Sequence, residues 1–129
     1  MKDFTIRPFG IEIDKLTNSI ENALTGETFE TQISLLTTDS IKQIKKTNWL
    51  FDWKKEILDT SKNVYKLTTM NNSTIIQGLL SIQDMGDHMF AHLIESAKFN
   101  RGKTKIYLGV PANLMAFACK TAFEKGYDG

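Results

Sequence analysis

Cysteine is almost missing from this chain. Cys119 stands alone, so no internal disulfide can form, and the apolar helical pattern around it points to a buried free thiol in a reducing compartment. The two prolines and eight glycines are scattered, with no Ser/Gly-rich or low-complexity stretch, which excludes a flexible linker. Neither sign of charge is in excess: 16 Lys and Arg against 15 Asp and Glu leave +1, so there is no bulk attraction to nucleic acid or to an anionic membrane. No apolar run reaches bilayer-spanning length, and Met1-Lys2-Asp3-Phe4-Thr5 lacks a signal-peptide hydrophobic region. The expectation is a cytoplasmic protein with neither a membrane nor nucleic acid as partner.

What is present is the material of one domain. The chain has 129 residues, 41% of them hydrophobic and 24% charged, enough for a core. Residues 4–8 read as a short edge strand, because Pro8 would cost a central strand a ladder bond. Ile13, Leu16, Ile20 and Leu24 recur at helical spacing, predicting a helix over 11–24 closed by Gly26. Residues 28–37 alternate as a strand, and Asp39 or Ser40 can cap a short helix carrying Ile41 and Ile44. Trp49, Phe51 and Trp53 lead into a further short helix over 54–58, their rings read as core or lid packing. Residues 63–70 and 74–82 then form two strands around a polar turn, and 88–97 a third. Gly78, inside the second of these, marks a bulge or a close backbone approach. The last helix, over 112–125, sets Leu114, Phe117, Ala118, Thr121 and Ala122 near one face, with Gly126 as its left-handed cap. This order implies an α+β fold, a mixed sheet with a central antiparallel meander and helices on both faces.

The richest stretch runs from His92 to Gly126. A strand passes into a basic loop with Arg101, Lys103 and Lys105, and a helix opens off Gly109. A helix N-terminus offers free backbone N–H groups and the positive end of the helix dipole, a ready phosphate site.

These residues resemble the GNAT N-acetyltransferases, and within them a bacterial GNAT-like subgroup. The resemblance rests on Val64-Tyr-Lys-Leu67, Ile76-Gln-Gly-Leu-Leu80, His92-Leu-Ile-Glu-Ser-Ala97, Asn100, Gly109-Val-x-x-Asn-Leu114, Ala116-Phe-Ala-Cys-Lys120 and Phe123-Glu-Lys-Gly126. It covers residues 49–129 well and the N-terminal third loosely. It implies acetyl-CoA as co-substrate, an amine as acceptor, direct attack in a ternary complex and no metal. The pantetheine arm would lie along Leu93, Ile94, Glu95, Ser96 and Ala97. The pyrophosphate would meet Gly109, Val110, Ala112, Asn113 and Leu114, with charge from Lys103 or Lys105. The family's loop pattern, Gln/Arg-x-x-Gly-x-Gly/Ala, is broken at Ile106, which lacks a donor, and at Pro111, which removes an N–H. Proline is tolerated in a first helical turn, so the helix start survives, but the cradle is weaker by one hydrogen bond, about 1.5–3 kcal/mol. Members of the family continue beyond this point with a strand and a helix that often brings a tyrosine acid, so the chain reads as C-terminally truncated. An unpaired sheet edge left there would invite a homodimer.

Each candidate has a plainer account beside it. Glu95 is the candidate general base for the amine, or an ion-paired strand-end residue. Tyr107 either bonds the cofactor or packs. His88 and His92 lack a carboxylate or cysteine partner for a metal, Cys119 has no visible histidine partner, and Met85, Met89 and Met115 read as core fillers. Alongside the enzyme stands a second reading, a non-catalytic or truncated GNAT-fold module acting through CoA or protein binding.

Overall fold

The computed structural model describes residues 19–128. Its elements are β1 (Ser19–Asn22), β2 (Thr28–Leu36), a 3-10 segment over Thr38–Gln43 and another over Lys46–Asn48, α1 (Trp53–Leu58), β3 (Asn63–Thr69), β4 (Gly78–Asp84), β5 (Met89–Ser96), a 3-10 turn at Lys98–Asn100, β6 (Tyr107–Leu108) and α2 (Val110–Glu124). The strands form one curled six-stranded sheet in the order β5-β4-β3-β2-β1-β6. The fold is α+β.

Every strand pair is antiparallel, which corrects the expected mixed sheet. The reason lies in the connections: β1–β2, β3–β4 and β4–β5 are joined by short reversals, and the long β2–β3 link that carries α1 also returns its strand beside the one it left. The link after β5 alone does not return beside its own strand. It carries β6 to the far side of the sheet, against β1, where Leu108 faces Glu21 and Tyr107 faces Asn22.

Alternation along the strands builds two cores, one on each face. Leu67, Leu80 and Ile82 pack under Val110, Leu114 and Ala118 of α2. On the opposite face, Val64, Leu79 and Leu36 meet Trp53 and Ile57 of α1 together with Ile44. Asp52 caps α1, accepting from the Lys55 amide at 3.2 Å. Gly126 closes α2: its φ of 85° is the left-handed cap, with its amide on the Phe123 carbonyl at 2.9 Å and the Tyr127 amide on the Ala122 carbonyl at 2.9 Å.

Several expectations change here. The strand expected over 4–8, and most of the helix over 11–24, fall outside the described residues. Of the part that is described, 19–24, Ser19–Asn22 is strand β1 and Ala23 and Leu24 lie in the turn after it, with no helix: the one buried apolar residue, Ile20, pairs with Phe29 and joins the α2-side core. The strand expected from residue 74 begins only at Gly78, because the Asn72 side chain holds the Thr74 amide and hydroxyl in a turn. Gly78 is the close approach, since a Cβ there would stand 2.6 Å from Val110 Cγ1 and 3.0 Å from Leu114 Cδ1. The bulge lies elsewhere, between Ser81 and Ile82 of β4 opposite β5. Cys119, Met85 and Met115 are exposed rather than buried. For the helical pair the buried stripe of α2 runs through Val110, Asn113, Leu114, Ala118 and Ala122, which turns positions 115 and 119 outward. Met85 sits in the β4–β5 turn.

Candidate functional site

β5 is an edge strand among the described strands. The Ala97 amide donates to the Gln77 carbonyl at 2.9 Å, and antiparallel ladders alternate. Glu95 and Leu93 therefore turn their backbone groups to β4, while Ile94 and Ser96 turn theirs outward. Of the expected stretch, Ser96 and Ala97 are buried, and Leu93 and Ile94 are half-buried. The open part of the edge is thus centred on Ile94 and the residues before it.

The start of α2 lies close by. Val110 packs on Gly78, the partner of Ser96, so the first turn of the helix meets the C-terminal end of β5 across one strand. Gly109, at φ 92°, is the N-cap, with no side-chain cap bond. The Asn113 amide already donates to the Gly109 carbonyl at 2.9 Å, and Pro111 has no N–H. Free first-turn donors are therefore reduced to Val110 and Ala112, fewer than the sequence suggests. Asn113 has a structural task instead. Its Nδ2 donates to the carbonyls of Ser19 at 2.9 Å and Gly109 at 2.8 Å, and its Oδ1 accepts from Thr31 Oγ1 at 3.4 Å. Leu114 is core, with no exposed surface.

The basic loop divides. Lys103 and Lys105 line a cavity of about 420 Å³ with Asn22 and Leu24 at the β1–β2 turn, a cavity that includes neither Gly109 nor Val110. Arg101 turns the other way, its Nη1 3.7 Å from Glu95 Oε2.

Glu95 is buried, 4% exposed, on the α1 face. Its Oε2 accepts from the Leu50 amide at 2.7 Å, and its Oε1 from the Phe51 amide at 3.2 Å and from Trp53 Nε1 at 2.8 Å. A carboxyl so engaged pins the loop before α1 to the sheet, and it presents no free oxygen to a substrate amine. A second buried acid, Glu56, accepts from Ser81 Oγ at 2.8 Å and Lys62 Nζ at 3.2 Å.

One feature of β5 was not singled out for catalysis in the sequence. The register shift pairs Ser81 with Leu93 but Ile82 with Ala91, leaving His92 as the extra residue. Its Nε2 lies 2.8 Å from Gln83 Oε1, and its ring stacks edge-on against Phe90 at 4.7 Å. In this orientation of the Gln83 amide, Nε2 carries the proton and Nδ1 keeps a lone pair. His88 goes separately to Asp87 at 2.6 Å. A bulge depends on cross-strand register, so no local pattern around His92 announces it. Tyr107 packs, edge-on against Phe29 at 5.7 Å.

Among the described residues no helix is long and apolar enough to cross a membrane, and no group of three or more His, Cys, Asp or Glu side chains could hold a metal ion. Comparison with protein-family models, with curated proteins and with solved structures finds no match to this chain.

Proposed function

We propose that this chain is the acyl-CoA-binding part of a GNAT-type N-acyltransferase. The observation that carries the reading is the outer edge of β5 at Ile94, unpaired among the described strands and leading toward the first turn of α2 beside Gly78. An extended pantetheine arm could pair with that edge as an added strand does, and the Val110 and Ala112 amides could meet a pyrophosphate. Acetyl-CoA supplies the activated acetyl group. The transfer makes one N–C bond and breaks one C–S bond, and the proton lost by the amine ends on the thiol. In this reading His92 on β5, rather than the enclosed Glu95, relays that proton.

The test is calorimetric titration of acetyl-CoA into the protein and into Ala112→Glu. Position 112 lies in the first turn of α2, off its buried stripe, where a carboxylate keeps the amide donor and favours the helix but repels a phosphate. Binding by the parent that weakens at least about tenfold in the variant supports the reading. No binding by the parent, or equal binding by both, overturns it.

The hydrogen bonding of Glu95 favours a second reading, a CoA-binding module without transfer chemistry. Binding of acetyl-CoA with no release of free thiol, across a panel of amines, would select it.

A further inference from the structure

A cavity of about 270 Å³ opens on the α1 face of the sheet, beside the C-terminal end of β5 and on the opposite face from α2. Its floor is apolar. Trp49 comes from the segment before α1, Ile75 from the β3–β4 connection and Phe99 from the 3-10 turn after β5. Ile75 remains 43% exposed although the neighbouring Ile76 is packed into the core, so part of the wall is apolar surface facing water. Two lysines, Lys45 and Lys98, stand at the cavity, and no Asp or Glu lines it. Lys98 Nζ is steadied by Asn48 Oδ1 at 3.3 Å. Among the described residues neither ammonium pairs with a carboxylate.

Each of these features selects for chemistry. The apolar floor, with one indole and one phenyl ring, favours a flat apolar body. Two uncompensated cations beside it favour an anion, since a charge next to a desolvating wall is the one most helped by a partner. The volume lies near the lower bound of small-molecule sites, about 300 Å³, which limits the ligand to one or two rings. We propose that this cavity is a binding site for a small aromatic anion, a carboxylate or a phosphate ester, held flat against Trp49 and Phe99 with its charge between Lys45 and Lys98. The site is separate from the β5 edge and the first turn of α2, and it stands whether or not the chain binds acyl-CoA.

The experiment is a titration followed by ¹H–¹⁵N correlation spectra, which resolve the Trp49 indole and the amides of Ile75, Lys98 and Phe99. The probes are 2-naphthoate, 1-naphthyl phosphate, neutral 2-naphthamide and inorganic phosphate. Saturable shifts at those four residues with naphthoate or naphthyl phosphate are expected, and whichever binds more tightly identifies the anion. Lys45→Glu and Lys98→Glu, both at exposed positions, should each weaken binding about tenfold while leaving the remaining spectrum dispersed. Equal binding of 2-naphthamide would overturn the proposal in favour of a merely apolar cleft. Equal shifts with inorganic phosphate would overturn it in favour of loose lysine–anion contact. Absence of saturable shifts from both aromatic anions, shifts elsewhere only, or charge reversals without effect would also overturn it.

Discussion

Replacing Glu95 by glutamine separates a structural carboxyl from a catalytic one. In the protein its two oxygens accept three hydrogen bonds, from the Leu50 and Phe51 amides and from Trp53 Nε1, and Arg101 stands at 3.7 Å. Glutamine keeps one accepting oxygen. If that oxygen stays with Trp53 Nε1, whose ring is only 1% exposed, the new amide NH₂ confronts the Leu50 N–H, donor against donor. A hydrogen bond to a charged group is worth about 1.5–3 kcal/mol, and an orphaned donor costs about 1–3. Leu50 is exposed, so water can take over part of its need. The expected loss is about 2–3 kcal/mol, a large share of the ~5–15 kcal/mol that holds a typical domain. Urea unfolding followed by tryptophan emission measures it, because Trp53 loses its hydrogen bond in the same step. A midpoint corresponding to less than about 0.5 kcal/mol of change would refute the reasoning. Loss of acyl transfer without loss of stability would restore Glu95 as a general base.

Other outcomes follow from the same contacts. Gly78→Ala places a methyl 2.6 Å from Val110 Cγ1 and 3.3 Å from the Glu95 carbonyl; overpacking of this kind costs about 1–3 kcal/mol, and a thermal melt unchanged from the parent would contradict the close approach. Asn113→Ala removes the two bonds donated to the Ser19 and Gly109 carbonyls from a side chain only 1% exposed, which should cost about 2 kcal/mol in urea unfolding. At the far end of α2, the Tyr127 hydroxyl, the Gly86 amide and Lys125 lower the Asp84 carboxyl to about 2, so its contribution is whole above pH 3.8 and fades as pH falls toward 2. The melting-temperature gap between parent and Asp84→Asn should therefore narrow over that window, and a gap constant from pH 5 to 2 would remove the cluster from the account. The Tyr127 phenol is raised from 10, chiefly by donating to Asp84. The gap to Tyr127→Phe should persist through pH 10 and close above it.

Where local chemistry was self-sufficient, the sequence was readable. Strand alternation and the left-handed glycine at 126 act within a few residues of themselves. The strands at Thr28–Leu36, Asn63–Thr69 and Met89–Ser96 and the helix at Val110–Glu124 accordingly stand close to where periodicity places them. Gly78 was legible as either a bulge or a close approach, because a glycine in an apolar strand asks what it makes room for, and packing against Val110 decided between them.

The rest needed the partners. Ser19–Asn22 carries helical spacing, yet Ile20 is buried only as a strand beside Phe29, and a tertiary partner overrides a weak local preference. Strand direction, the placement of β6 against β1 and the bulge at His92 are properties of pairing between distant segments, invisible to any window along the chain. The candidate site divided the same way. Edge strand, loop and helix start could be marked from sequence, but the packing of Val110 on Gly78 was decided in three dimensions. So were the loss of the Asn113 amide to Gly109, the turning of Lys103 and Lys105 toward β1, and the enclosure of Glu95. Hydrogen-bond and burial capacity belong to a residue type and can be read in sequence; which partner uses that capacity depends on what the fold brings within about 3 Å.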